Sequence, residues 1–376
     1  MRVAIIGGAG NVGQEVALGL LVRAEAVTDI VLADVHDDPG ALRHRLRKNA
    51  KVSQRRLDAR DQESLAAALA GTRLLVNCAG PFCDTVVPVA RAAVALGADY
   101  LDVCDDFAAT ALLLESDLDA AAQAAGVSLL TGMGSDPGTN NLLALWYAHK
   151  LDTVESVSLA WAVDCGDLAG AALAHATTML AGAVPQFLDG RLLYLEGGEG
   201  EETVAFADPI GPVTVRYVGH PQPLTLPQRL PGLKSLTVKG VILPDWADRL
   251  LMAQKSCGLS HRESLALAAS LLREGGSAMP SGPGVSGLKV AVSGTWQGRA
   301  VTYAADMVGA MGPGTGLPAA IAALLLLEGR VAAKGLLAPE DAIDPEVFVS
   351  RLLACGARIR QTRSETITLT AKGGSV

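Results

Sequence analysis

The sequence lacks the features of a membrane protein or a nucleic-acid-binding protein. Its longest apolar run, LPAAIAALLLL at 317–327, is shorter than the roughly 18–20 residues that span a bilayer. The N-terminal stretch MRVAIIGGAG is too short for the apolar core of a secretion signal. The densest basic segment, RHRLRKNAK at 43–51, belongs to a chain of net charge −8 and indicates a solvated helix face. We therefore expect a cytoplasmic protein with no membrane or nucleic-acid partner.

Cysteine is also scarce and scattered. The six cysteines include no CxxC pair, which argues against a disulfide framework or a zinc site, and we expect no metal. Cys78 and Cys83 lie five positions apart in VNCAGPFCDT, with Gly80 and Pro81 between them. We interpret the Gly-Pro turn, rather than the thiols, as the functional part of this segment.

A glycine motif at the start of the chain predicts a dinucleotide-binding domain. The apolar run Val3 to Ile6 is typical of a buried strand, and Gly8, Gly10 and Gly13 then lead into a helical pattern. In this motif the glycines permit a tight turn and close backbone approach to a pyrophosphate at the helix N-terminus. Asn11 and Val12 lie inside the motif and join the predicted cofactor residues.

The second predicted strand, DIVLAD at 29–34, indicates which dinucleotide is bound. It ends in Asp34, 21 residues after Gly13, where a carboxylate accepts hydrogen bonds from the adenosine ribose. A carboxylate there repels a 2′-phosphate, and the following residues DVHDD are also acidic. We predict NAD as the cofactor in preference to NADP.

Strands and helices continue to alternate as far as about residue 132, which predicts a doubly wound parallel sheet. In such sheets ligands bind beyond the carboxyl ends of the strands. The segments NCAGPF and DVCDD follow the predicted fourth and fifth strands, so both should line the cofactor cleft. The further predicted cofactor residues are Asp58, at the end of the predicted third strand, and Cys78, Ala79, Gly80 and Pro81, after the fourth.

Several of these motifs, taken in order, resemble the saccharopine dehydrogenase-like family, which includes lysine 6-dehydrogenase and carboxynorspermidine dehydrogenase. They are GGAGNVGQEVA, VNCAGPF, YLDVCDD, GSDPGTNNLLA and the closing segment at 314–348. The resemblance covers residues 1–145 and 305–356, and in between it rests mainly on GHPQPLTLP at 219–227.

The resemblance implies an α/β protein built around a Rossmann domain at 1–135. An α+β substrate and dimerisation domain with a mostly antiparallel sheet would span 136–308, and a helical segment at 309–376 would return to the first domain. It implies a homodimer that transfers hydride at a carbon–nitrogen bond of an amino acid, opine-like or polyamine substrate.

Patterns after residue 135 agree with such a second domain. Residues 287–296 and 299–309 predict a hairpin, and 175–190 and 246–255 predict helices. Asp136 is expected to cap a helix that starts at Pro137.

Catalytic candidates come from an acidic cluster and from one histidine. Asp102, Asp105 and Asp106 lie together at the end of the predicted fifth strand, where like charges can raise a pKa. We predict Asp102 as the acid of the cleft and Asp106 as its partner or as an anchor for a substrate ammonium, although acids at strand ends also cap helices. His220 is predicted as catalytic from the family resemblance. A substrate carboxylate would call for an arginine, for which Arg191, Arg216, Arg229 and Arg249 are all eligible.

Two rival functions fit the same nucleotide-binding motif. One is a semialdehyde dehydrogenase with Cys257 as the nucleophile and His261 four residues later. The other is a non-catalytic NAD-binding protein.

Overall fold

A computed structural model describes residues 1–36, 40, 42–167, 175, 179–180, 182–256, 263, 270 and 284–366. The chain forms two β-sheets with helices around them, which confirms the α/β class. No helix in these described ranges is both long and apolar enough to cross a bilayer.

The first part of the chain alternates strands and helices as the sequence predicts. Its strands are β1 (Arg2–Ile6), β2 (Asp29–Asp34), β3 (Val52–Arg56), β4 (Leu74–Asn77), β5 (Asp99–Asp102) and β6 (Ser128–Leu130). Its helices are α1 (Asn11–Arg23), α2 (His44–Arg47), α3 (Gln62–Ala68), α4 (Phe82–Leu96), α5 (Phe107–Leu114) and α6 (Leu118–Ala125).

The later part contains most of the second sheet. Its strands are β7 (Thr153–Asp164), β8 (Ala183–Leu188), β9 (Arg191–Glu196), β10 (Glu202–Ala205), β11 (Pro212–Tyr217), β12 (Ser235–Leu243), β13 (Ser286–Trp296), β14 (Arg299–Gly309), β15 (Gly335–Leu337) and β16 (Arg360–Thr366). Its helices are α7 (Thr139–Ala148), α8 (Gln222–Thr225), α9 (Asp245–Ser256), α10 (Met311–Leu327), α11 (Pro339–Ala342) and α12 (Pro345–Ala354).

The first sheet is parallel throughout, in the order β15-β6-β5-β4-β1-β2-β3. Side chains of β1 from Val3 to Ile6 are buried because helices cover both faces. From β1 the strands are added first toward β3 on one side and then from β4 onward on the other, so the strand order reverses between β1 and β4. At such a point the carboxyl ends of the central strands open onto a crevice where ligands bind in these folds. Strand β15 adds to β6 from near the C-terminus.

The second sheet has nine strands, mostly antiparallel, with β7 and β12 as a parallel pair. The predicted hairpin is confirmed, since β13 pairs with β14 across Gln297 and Gly298, both with positive φ. The predicted helix at 246–255 is confirmed as α9. The helix predicted over 175–190 is wrong for 183–188, which forms β8 and pairs with β9 across the turn at Asp189 and Gly190.

The last part of the chain joins both sheets. Helix α10 packs closely on α1, because a Cβ on Gly19 would lie 2.5 Å from the Cβ of Ala320. Strand β15 extends the first sheet, whereas β16 pairs with β14 of the second. This segment therefore connects the two sheets beside the crevice.

Candidate active site

The glycine loop after β1 packs directly against the turn after β4. A Cβ added to Gly7, whose φ is 73°, would lie 2.8 Å from the backbone of Cys78 and Ala79. A Cβ on Gly8 would lie 2.8 Å from the carbonyl oxygen of Ile5, and one on Gly13 would collide with the carbonyl of Gly7. Only glycine fits at these positions, and the result is a bare backbone cradle at the N-terminus of α1.

Asp34 lies beside this cradle, at the tip of β2. Its carboxylate accepts hydrogen bonds from the backbone N–H groups of Ala9 (3.2 Å) and His36 (3.2 Å). These bonds fix the carboxylate next to the glycine loop, where the sequence pattern predicts an adenosine ribose.

Asp58, at the end of β3, is engaged differently. The Arg60 guanidinium donates to both carboxylate oxygens at 2.9 and 2.7 Å, and this pairing lowers the pKa of Asp58 to about 2. The predicted cofactor contact of Asp58 would therefore involve an ion pair and not a free carboxylate.

A cavity of about 910 Å³ opens between the two sheets at the crevice. Val12, the turn at 80–83 and the loops after β5 and β6 form its first wall. The second wall comes from β7, β12, β13, β14 and residues 355–358. Most of the lining is apolar, and its described ionisable side chains are Cys78, Cys83, Asp105, Asp106, Asp136, His175, His220, Cys355 and Arg358.

Asp102, the predicted acid of the cleft, is fully buried and does not line this cavity. Its carboxylate accepts four hydrogen bonds, from the Tyr100 hydroxyl (2.8 Å), Cys104 N (2.9 Å), the Thr131 hydroxyl (3.1 Å) and Gly132 N (2.6 Å). Burial raises the pKa of Asp102, and these donors oppose the rise. Asp102 therefore points into the protein, where its carboxylate holds the loops after β5 and β6 together. Its role as the acid of the cleft stays a prediction.

The acids that reach the cavity from the β5 loop are Asp105 and Asp106. Asp105 Oδ1 lies 3.1 Å from His175 Nε2, and Asp106 Oδ2 lies 3.8 Å from His175 Nδ1. Burial alone would raise the pKa of Asp105, but His175 and His220 outweigh it and lower that pKa. Burial alone would lower the pKa of His175, but the two carboxylates raise it. The pairing therefore favours an anionic Asp105 beside a protonated His175.

Asp106, predicted as the partner of Asp102 or as an anchor for a substrate ammonium, lies at the N-terminus of α5. Its carboxylate caps α5 by accepting from Ala108 N at 2.8 Å and Ala109 N at 3.1 Å. This capping role was the alternative reading of the cluster. The remaining oxygen faces the cavity, close to His175 and the Cys83 thiol.

His220 and Asp136 form a second histidine–carboxylate pair that lines the cavity. His220 Nδ1 lies 3.4 Å from Asp136 Oδ1, and His220 Nε2 lies 3.1 Å from the sulfur of Met179. Gln222 donates to the same Asp136 oxygen. Asp136 Oδ2 is buried and has no hydrogen-bond donor among the described residues.

Residues 3–130 match the family model of the saccharopine dehydrogenase NADP-binding domain. This part of the chain is similar to the NADP-binding domain of saccharopine dehydrogenases. This confirms the resemblance that the sequence motifs suggested.

Two solved structures resemble nearly the whole chain. Saccharopine dehydrogenase (L-Glu forming) from Saccharomyces cerevisiae superimposes with a TM-score of 0.69 at 15% identity, over 96% of this chain and 99% of that one. The C. glutamicum DAP dehydrogenase aligns over 94% and 98% at 15% identity, with a lower TM-score of 0.47. At this identity the first similarity establishes a shared two-sheet fold.

Within this two-sheet fold, the functional candidates Asp105, Asp136 and His175 were missed from the sequence. Asp136 was expected to cap a helix, but α7 begins at Thr139 with Gly138 before it, and the Asp136 carboxylate turns to His220. His175 begins the segment predicted as a helix, and no local pattern indicates that its side chain lies beside Asp105 in the cavity. For Asp105 the available signal was its position in DVCDD, next to Asp106, which was predicted as catalytic.

Cys78 and Cys83, which line the cavity, are not thiolates at neutral pH. Burial raises the pKa of Cys78 to about 12, and burial with the nearby Asp106 raises that of Cys83 to about 11. Burial also raises the pKa of Cys104 well above its ordinary value. Cys257 and His261, the pair of the rival semialdehyde mechanism, lie outside the described residues.

The four arginines considered for a substrate carboxylate do not line the cavity. Arg216 is paired with Glu201 and Asp248, Arg229 with Asp341, and Arg249 with Asp245. Arg191 lies on the exposed strand β9. Arg358 lines the cavity instead.

Proposed function

We propose that the protein is an NAD(P)-dependent oxidoreductase that acts on the carbon–nitrogen bond of an amine or amino acid. The observation that carries this proposal is the charge of the cavity. Three carboxylates line it, from Asp105, Asp106 and Asp136, and one of their buried oxygens, Asp136 Oδ2, has no donor within the described structure. A buried carboxylate oxygen without a donor is costly, and a substrate ammonium would satisfy it.

The cofactor fits the cradle described above. The backbone at Gly8, Gly10, Asn11, Val12 and Gly13 would hold its pyrophosphate. The turn at 78–81, packed against the glycine loop, would meet the nicotinamide half. A dinucleotide held there would supply a hydride acceptor for the substrate carbon in the oxidative direction.

NAD remains the preferred cofactor in this proposal, because the Asp34 carboxylate is fixed beside the glycine loop and repels a 2′-phosphate. The match to an NADP-binding domain model points the other way. Arg56, which lies opposite Asp34 in the β2–β3 register, is a cation that a 2′-phosphate would need. A comparison of KM for the two cofactors decides between them.

Proton transfer falls to the His175–Asp105 pair. In the oxidative direction the substrate ammonium must lose a proton before its C–H bond gives up hydride with both electrons. Neutral His175 would accept that proton, and the Asp105 carboxylate would stabilise the resulting imidazolium. The oxidised substrate is then an iminium ion, which water converts to a carbonyl compound with release of ammonium from a primary amine, or of the second amine from a secondary one, unless it cyclises first. His220 and Asp136 would orient the ammonium.

Turnover assays test the proposal. Purified protein is offered diamines and basic amino acids with NAD or NADP, while absorbance of the reduced nicotinamide is followed. We expect turnover and a KM that rises at least tenfold in Asp136→Asn, since a charge-assisted hydrogen bond is worth about 1.5–3 kcal/mol. Asp117→Asn is the matched control, because Asp117 is an exposed acid paired with Arg91.

The other outcomes discriminate between functions. Cofactor binding with no turnover and no substrate-induced thermal shift would favour the non-catalytic NAD-binding protein. Turnover that disappears in Cys257→Ala would favour the semialdehyde dehydrogenase.

A further inference from the structure

We infer that Arg358 binds the carboxylate of the substrate and so determines whether an amino acid is preferred to a plain amine. This inference rests on the proposed function, because it concerns the other end of a substrate whose ammonium meets the acids of the first wall. It assigns a specificity-determining role to a residue that none of the sequence motifs indicated.

The backbone carries Arg358 to the cavity between two fixed elements. Helix α12 ends at Ala354, and Gly356, with φ of 91°, turns the chain. On the other side, β16 begins at Arg360, which pairs with Asp306 of β14 in the antiparallel register. Arg358 therefore lies just past the end of this ladder, on the side where Met307 and Val308 of β14 also line the cavity.

The neighbouring arginines have carboxylate partners, whereas Arg358 does not. Arg351 contacts Glu328 at 2.6 Å, Arg360 contacts the buried Asp306 at 3.0 Å, and Arg363 contacts Glu365 at 3.2 Å. The guanidinium of Arg358 forms no hydrogen bond or ion pair within the described part of the chain. Of the described residues that line the cavity, Arg358 is the one arginine or lysine.

The charges of the two walls are complementary to a substrate with opposite charges at its ends. Asp105, Asp106 and Asp136 line the first wall, and Arg358 lines the second. A guanidinium binds a carboxylate through two parallel hydrogen bonds, a geometry that lysine cannot reproduce. An amino acid with a side-chain ammonium offers both groups, whereas a diamine offers no anion to Arg358.

A phosphate of the cofactor presents the same anionic chemistry to a guanidinium. The two sources of the anion separate experimentally, because a cofactor contact would change the affinity for NAD or NADP, while a substrate contact would not.

Matched substrate pairs test the inference. Lysine is compared with cadaverine, and ornithine with putrescine, since each pair differs by the carboxylate alone. KM is measured for wild type, Arg358→Ala, Arg358→Lys and the control Arg249→Ala, whose guanidinium is exposed and paired with Asp245. Affinity for reduced and oxidised cofactor is measured by calorimetry on the same proteins.

We expect Arg358→Ala to raise KM for the amino acids about ten- to a hundredfold, the range that a charged hydrogen-bonded pair gives. KM for the diamines and the cofactor Kd should stay within about twofold, and Arg358→Lys should recover part of the loss. Arg249→Ala should resemble wild type.

Three results would overturn the inference. An equal rise in KM for amino acids and diamines in Arg358→Ala would mean that Arg358 supports the structure of the site. A raised Kd for the cofactor would mean that Arg358 binds a cofactor phosphate. Turnover of diamines in preference to amino acids by the wild-type protein would refute it while leaving the proposed oxidoreductase intact. If no amine is oxidised, the proposed function fails, and calorimetric binding of lysine against cadaverine to the cofactor complex still tests Arg358.

Discussion

The two walls of the cavity differ in how their polar groups are supported. On the first wall, the acids follow strands of the parallel sheet, and their loops are bound together through Asp102 and the glycine loop. On the second wall, Trp161 and Ile242 contribute apolar lining, with the Trp161 ring 5.9 Å from the His220 ring, and Arg358 lies on a segment between two elements. In the proposed function, the first wall binds the cofactor and carries the negative charge, and the second wall selects the substrate.

Removing the Asp102 hydrogen bonds that hold the first wall together should cause the largest loss, which is a loss of stability. Asp102→Ala removes the acceptor for four hydrogen bonds and leaves buried donors at Cys104, Thr131 and Gly132 unsatisfied. We expect a loss of about 3–5 kcal/mol in the free energy of unfolding, measured by denaturant titration. Asp117→Ala, at an exposed acid, should change it by less than about 1 kcal/mol. Small and equal losses of unfolding free energy in Asp102→Ala and Asp117→Ala would contradict the structural role of Asp102.

Removing one cavity carboxylate while keeping the fold gives the next largest effect. Asp105→Asn should lower kcat for amine oxidation by about 10²–10⁴-fold, the range for losing general acid–base assistance. The pH dependence gives a second readout. His175 must be neutral to accept a proton, so activity should rise with pH through its pKa, which lies above the ordinary 6.5.

Asp105→Asn should also move this inflection to lower pH, because the carboxylate that stabilises the imidazolium is gone. An unchanged inflection in the variant would show that His175 is not the titrating group. His175→Gln, which cannot titrate, should abolish the inflection.

The unequal support of the two walls also explains what the sequence could predict. The glycine motif, Asp34 and the turn at 78–81 depend on local sequence order, so the sequence alone indicated them. Asp105 and Asp102 are three residues apart, and which one faces a ligand depends on donors from the β6 loop at Thr131 and Gly132, which the pattern of one strand does not contain.

Long-range pairing accounts for the remaining differences. The His220–Asp136 contact joins residues 84 positions apart, across the two walls. Arg358 reaches the cavity because β16 pairs with β14, a strand more than 50 residues earlier in the chain. Local periodicity does not contain these long-range pairings. For the same reason it predicts a helix over residues 183–188, whereas pairing with β9 makes this segment the strand β8.

Cofactor choice gives a smaller change on the first wall. Asp34→Ser removes the fixed charge beside the glycine loop, so we expect the ratio of kcat/KM for NADP to that for NAD to rise about five- to tenfold, consistent with about 1 kcal/mol from one partly solvated charge. Steady-state kinetics with both cofactors measures this ratio. A protein that already prefers NADP, and whose preference is insensitive to Asp34, would refute the proposed choice of NAD.

The smallest effect is expected at the two thiols that flank the Gly80–Pro81 turn. Cys78→Ser and Cys83→Ser should each leave cofactor Kd and kcat within about twofold of wild type, because the raised pKa values keep both groups protonated and unreactive at neutral pH. In the same assays, Gly7→Ala should weaken cofactor binding strongly, since its Cβ would collide with the backbone of Cys78 and Ala79. A large kcat loss in either serine variant with unchanged Kd would instead assign chemistry to the thiol, and the first wall would then contribute more than binding and charge.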